Sequence, residues 1–154
     1  MEKGQFCKES SFMIDSISKK QKKTKQYETL FMQLKELMSS NENRISNMAN
    51  FTAAVKTSFD FFWVGFYLTE SSDLVLGPFQ GPVACTRIQK GQGVCGSAWL
   101  REESIIVGNV HDFPGHIACS AESNSEIVIP VMKEGHCIGI LDIDSKSYDC
   151  FDEV

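Results

Sequence analysis

The sequence predicts an α+β domain, a central antiparallel sheet of about six strands with helices packed on it. Three observations carry that expectation. Apolar side chains before residue 58 recur at helical spacing, with Tyr27, Leu30, Phe31, Leu34, Leu37 and Met38 on one stripe. After Ser58 the apolar period drops to two, first in "FFWVGFYL" at 61–68. The stretch "SEIVIPVMKEGHCIGILDIDS" then reads as two long strands turning at Lys133–Gly135, a hairpin.

In chain order, residues 1–22 are polar and lysine-rich and are expected to form an extended or partly disordered arm. The folded domain is expected over 23–154. A first helix starts near Thr24 and is broken by "SSNEN". A second starts near Glu42 and turns Ile45, Met48, Ala49 and Val55 inward. In the strand at 61–68, Phe62, Val64, Phe66 and Leu68 point one way, and Trp63, Gly65 and Tyr67 the other. "DLVLGPF" and "VACTRI" read as strands separated by Gly and Pro, and "GVCGSAWLREE" as a short helix with a glycine-rich start. "SIIVG" and the hairpin supply the last strands. No internal repeat or linker divides the chain.

The bulk numbers narrow the function classes. A chain of 154 residues with 42% apolar residues suits one packed core rather than a disordered segment. A formal charge of −5 argues against a nucleic-acid surface, and the cluster "KKQKKTK" reads as a solvated basic arm. No apolar run is long enough to span a membrane, and the N-terminus has no secretory h-region. The expected setting is the reducing cytoplasm, where the six cysteines are not a disulfide framework. There is no C-x-x-C pair. His111, His116 and Cys119 in "HDFPGHIAC" could be read as metal ligands, but no fourth ligand stands at an ordinary spacing. No metal or other cofactor is expected.

Four stretches can carry chemistry. Cys119 lies in "HIACSAESNSE", among small and polar residues, unlike Cys137 among the apolar residues of "HCIGIL"; a reactive thiol needs exposure and a setting that tolerates its thiolate, and the local sequence leaves open which kind Cys119 is. On the last strand, Ile138, Ile140, Asp142 and Asp144 share one face and Cys137, Gly139, Leu141 and Ile143 the other, so an aliphatic face ends in two carboxylates. That end is either solvated or waits for a cationic ligand, since unpaired buried charge is costly. Trp63 and Tyr67 flank Gly65, leaving an aromatic-walled gap that suits a methyl group, a thioether or a flat ligand; ordinary aromatic core over a bulge is the alternative. "KGQGVCGSAW" opens a helix with backbone N–H groups able to hold a carboxylate or phosphate, without matching a nucleotide-binding fingerprint.

The stretches "FWVGFYL", "LVLGPFQGPVACTRIQKGQGVCG", "IIVGNVHDFPGHIAC", "EIVIPV" and "GILDIDS", in this order, together resemble the GAF-domain free methionine-R-sulfoxide reductases. The resemblance runs from about Tyr27 to Glu153 and implies a GAF-like fold. Family members usually continue into a C-terminal helix after the last of these stretches, so that helix is expected to be missing from a chain ending "FDEV". The resemblance further implies thiol-dependent reduction of free L-methionine-R-sulfoxide to L-methionine. Cys119 matches the nucleophile that is left as a sulfenic acid. Cys85 matches the thiol that resolves it to a disulfide, Cys95 an auxiliary resolving thiol, and thioredoxin the external reductant. Trp63 and Tyr67 would wall the substrate's S-methyl group, and Glu126, Asp142 and Asp144 correspond to the acidic binding residues. A homodimer is left open. The rival expectation is a GAF module that senses a small ligand and does no chemistry, which leaves the three midchain cysteines idle.

Overall fold

The computed structural model describes residues 3–38, 43–116 and 120–152, with side chains from residue 20 onward. The chain divides into two compact units, residues 1–38 with 153–154, and residues 39–152.

The first unit is a single helix, α1 (Lys3–Leu37). The extended arm expected over 1–22 is therefore corrected from Lys3 onward, and the helix starts some twenty residues before Thr24. The segment has no proline, and its only glycine stands at the second helical position, so lysine, glutamine, methionine and serine continue the helix unbroken. Thr24 and Thr29 are accommodated by donating their hydroxyls to the carbonyls of Lys20 and Lys25, at 3.0 and 2.8 Å.

The second unit is built on a six-stranded sheet. Its elements are α2 (Arg44–Phe59), β1 (Trp63–Glu70), β2 (Asp73–Gln80), β3 (Arg87–Gln89), α3 (Gly93–Arg101), β4 (Ile105–Val107), β5 (Ser125–Lys133) and β6 (His136–Ser145). A single 3-10 turn, Val110–Asp112, follows β4. The strand order is β3-β2-β1-β6-β5-β4, and every pair is antiparallel, as the sequence predicts. The long strands β1 and β6 are central, and both edges are three-residue strands that offer little unpaired backbone.

Helix α2 starts at Asn43, whose side chain accepts from the N–H of Ile45 at 2.8 Å, and ends at Asp60 in the left-handed conformation (φ 52°). It buries Met48, Thr52 and Val55. Ile45, expected inward, is 48% exposed in the first turn: the 48–52–55 stripe covers the sheet without it. Phe51 meets Phe66 at 5.4 Å between ring centroids, so α2 packs on the sheet face that carries the even-numbered β1 residues.

The odd-numbered face of β1 belongs to the main core, where Trp63 and Tyr67 pack with Val94, Ala98 and Trp99 of α3 and with Val128 and Ile140. Gly96 permits the close seating of α3: a Cβ there would stand 2.4 Å from the Gln89 carbonyl oxygen.

Two expectations about strands are corrected. Only Arg87–Gln89 of the region around "VACTRI" pairs as a strand; Val83–Thr86 form a loop held by Tyr67 of β1 at the Cys85 carbonyl and by the Leu76 N–H of β2 at the Thr86 carbonyl. Cys137 does not lie opposite the aspartate face but packs against the Trp63–Tyr67 core. The β5–β6 register runs Val131↔Gly139 and then Met132↔Cys137, which leaves Ile138 as an extra residue. This bulge inverts the alternation before it.

Candidate active site

Strand register assembles the site. In the β1–β6 pair Trp63 stands opposite Asp144, and Gly65 opposite Asp142. In the β5–β6 pair Glu126 stands opposite Asp144, and Val128 opposite Asp142. Since side chains directly opposite share a face, three neighbouring strands aim Trp63, Tyr67, Glu126, Asp142 and Asp144 to one side. Helix α3 covers that side and adds Cys95 from its first turn. These six residues line one cavity, with Phe62, Pro82, Val83, Ala84, Ile88, Gln92, Gly93, Val94, His116, Ser120 and Ser123. The acidic end of β6 is thus not the solvated edge that its sequence allows: Asp142 is 6% exposed and Glu126 likewise 6%.

The aromatic wall is built differently from the gap read in the sequence. The Trp63 indole folds over Gly65 and fills it: a Cβ at residue 65 would lie 2.1 Å from the indole and 2.6 Å from Phe79 Cβ. The indole stacks on Phe79 at 5.4 Å and faces Tyr67 at 6.0 Å. Both β1 aromatics also hold the 82–85 loop. Trp63 Nε1 donates to the Pro82 carbonyl and Tyr67 Oη to the Cys85 carbonyl, each at 3.0 Å. Gly65→Ala is therefore expected to unseat the indole and to destabilise the fold by about 1–3 kcal/mol, the usual range for an overpacked core. Thermal melts, and the intrinsic fluorescence of Trp63 read in a Trp99→Phe background, check this.

At the polar end the Cys95 thiol donates to Asp142 Oδ2 at 3.4 Å and lies 3.6 Å from Glu126 Oε1. Ser123 donates a short hydrogen bond to Asp144 Oδ1. Asp142 Oδ1 is buried and has no hydrogen-bond partner. Burial holds the Cys95 thiol well above its ordinary pKa, reinforced by the carboxylates, so in this arrangement it is a neutral donor.

The three acids do not ionise together. Burial, then the charges of Asp144 and Glu126, hold Asp142 protonated well above the usual carboxylate range. Burial and the Asp144 charge push Glu126 up to about 8. Burial raises Asp144 only to about 6, because the Ser123 hydroxyl favours its anion. Near neutral pH the cluster holds one carboxylate, chiefly on Asp144, and two carboxylic acids that can still give up a proton.

Cys85 is engaged in a disulfide, and its partner is not Cys95, Cys137 or Cys150, which carry free thiols. Cys119 lies outside the described residues, so the structure does not bear on where its thiol stands. His111 is exposed, its Nε2 3.2 Å from Asn124 Oδ1; its ring meets that of His116 edge-on at 6.3 Å, and it does not line the cavity. His116 does line it. Its Nε2 is buried without a partner, and burial, then His111, lowers its pKa. Sequence reasoning weighed His116 only as a metal ligand and missed Ser123. The one signal for Ser123 was its place in the polar run before β5.

The first-turn residues Gly93, Val94 and Cys95 line the cavity, and no side chain caps the start of α3 at Gln92. Those N–H groups are available to an anion.

The GAF domain family model matches residues 50–154. The chain is 45% identical over 130 residues to the free methionine-R-sulfoxide reductase of Escherichia coli (strain K12), covering 84% of this chain and 79% of that protein. It is 56% identical over 133 residues to GAF domain-containing protein A of Dictyostelium discoideum, covering 86% and 84%. Among solved structures, the free methionine-R-sulfoxide reductase of Neisseria meningitidis in complex with its substrate matches with a TM-score of 0.81 at 48% identity, covering 82% of this chain and 77% of that one. With the fold and the sequence in agreement, the chain belongs to the GAF-domain free methionine-R-sulfoxide reductases.

Proposed function

We propose that this chain reduces free L-methionine-R-sulfoxide to L-methionine. The observation that carries the reading is the convergence of three carboxyl groups on an aromatic-walled cavity that the uncapped start of α3 also lines. A free amino acid needs both ends met. The carboxylate on Asp144 pairs with the ammonium, and the Gly93–Cys95 amides receive the carboxylate. Trp63 and Tyr67 wall the S-methyl group.

The acids kept protonated suit the chemistry. The Cys119 thiolate attacks the sulfoxide sulfur while Glu126 or Asp142 protonates the departing oxygen. Methionine leaves, and the oxygen remains on Cys119 as a sulfenic acid. The Cys85 thiol then attacks that sulfur, forming a disulfide and releasing water. The thioredoxin dithiol takes the disulfide back to two thiols. The disulfide at Cys85, with Cys95 free, supports Cys85 as the resolving thiol.

A single-turnover experiment tests the reading. Reduced protein incubated with the free R epimer, without reductant, is expected to release one methionine per chain and to shift in non-reducing gel mobility. Peptide mapping is expected to join Cys85 to Cys119, with Cys7, Cys137 and Cys150 alkylatable once denatured. Absence of methionine, or a dominant bridge to Cys7 or Cys150, would contradict it.

A further inference from the structure

We propose that Cys95, Glu126 and Asp142 form a binding site for a thiophilic divalent cation, Zn2+ in the first place. One ligand atom from each residue lies within 4.8 Å of the other two, and all three residues are buried. Cys95 Sγ stands 3.4 Å from Asp142 Oδ2 and 3.6 Å from Glu126 Oε1. In tetrahedral zinc coordination, Zn–S near 2.3 Å and Zn–O near 2.0 Å imply a sulfur-to-oxygen edge of about 3.5 Å. The two sulfur-to-oxygen distances bracket that edge.

A second observation also points to a ligand. Asp142 Oδ1 is buried with no hydrogen-bond partner, and a buried polar atom left so costs free energy that a cation would recover. The three residues line the same cavity, which gives the ion its route and leaves the fourth coordination position to water. On binding, the Cys95 S–H bond is replaced by an S–Zn bond, Glu126 and Asp142 bind as carboxylates, and the protons of all three groups are released to water, with no change of oxidation state. Direct binding does not depend on the reductase reading.

The test uses the metal-free full chain, kept reduced with a phosphine. Titration with Zn2+ is expected to fill one site per chain. Co2+ in its place is expected to give the visible bands of tetrahedral coordination with a sulfur-to-cobalt charge-transfer band. Cys95→Ser is expected to lose the charge-transfer band, and Asp142→Asn, close to isosteric, to bind at least about tenfold more weakly. Cys137→Ser, outside the cluster, is expected to bind like the parent; circular dichroism verifies that each variant is folded. Failure of the folded parent to bind Zn2+, an undiminished charge-transfer band in Cys95→Ser, or loss of the site in Cys137→Ser would overturn the proposal.

Discussion

Cys119→Ser is expected to form no methionine even in a single turnover, whereas Cys85→Ser is expected to release one methionine per chain and then stall. The two variants separate the two sulfur events. Attack on the sulfoxide needs a thiolate, and a serine hydroxyl is neither ionised near neutral pH nor able to carry the oxygen away as a sulfenic acid. Resolution needs only a second thiol within reach of the first. Cys95→Ser discriminates further. As a buried neutral donor to Asp142, Cys95 serves the acid cluster, and a serine hydroxyl can donate in its place. Multiple turnovers with thioredoxin are therefore expected to survive in Cys95→Ser. A stall after one turnover there, with normal turnover in Cys85→Ser, would exchange the two roles. Quantifying methionine per chain under single- and multiple-turnover conditions reads all three variants.

The acid cluster carries the second large effect. Removing the Asp144 charge costs a charge-assisted hydrogen bond to the ammonium, about 1.5–3 kcal/mol. Asp144→Asn is accordingly expected to raise KM by about 10- to 150-fold. Glu126→Gln removes a proton donor while keeping a hydrogen-bonding shape, so kcat is expected to fall with KM little changed. Stability responds in the opposite sense to activity. The folded-state pKa values of Glu126, about 8, and Asp142 are raised above their ordinary values. Their protonated forms favour the fold fully below those ordinary values, and the contribution is lost as pH rises toward 8. For Glu126, moving from 4.5 to about 8 corresponds to at most about 5 kcal/mol, shared within a coupled cluster. The melting temperature of the metal-free protein is thus expected to fall from pH 5 to pH 8. Glu126→Gln and Asp142→Asn should flatten that fall and melt higher at pH 8. Unchanged kinetics and an unchanged pH profile in these variants would remove the acids from the site.

Much of this arrangement is legible in a period of two. The alternation in "FFWVGFYL" put Trp63 and Tyr67 on one face, and the alternation in "GILDIDS" put Asp142 and Asp144 on one face; register then joined the two. Alternation says nothing about which end of a strand is covered, so the sequence left the acidic end of β6 open between solvent and cavity. Rotamers and bulges were equally out of reach. The gap at Gly65 is closed by the indole of Trp63, a packing choice made with Phe79 and Gly81, residues on and just after β2. Cys137 changed sides through a one-residue slip at Ile138, which no local pattern marks. The 83–86 loop looked like a strand by composition, but only its last carbonyl, on Thr86, bonds to β2, while Tyr67 holds the Cys85 carbonyl. In α1, polarity suggested an arm, while the absence of proline and internal glycine favoured the helix observed.

The claim that matters most is that the site is built for a free amino acid with an R-configured sulfoxide. Thioredoxin-coupled NADPH oxidation measures it directly, using the separated R and S epimers, each as the free amino acid and as its N-acetylated, amidated form. The account predicts turnover of the free R epimer, with little on the S epimer and little on either blocked form, because blocking removes both charges that Asp144 and the Gly93–Cys95 amides would hold. Comparable rates on the free and blocked R epimers would contradict it.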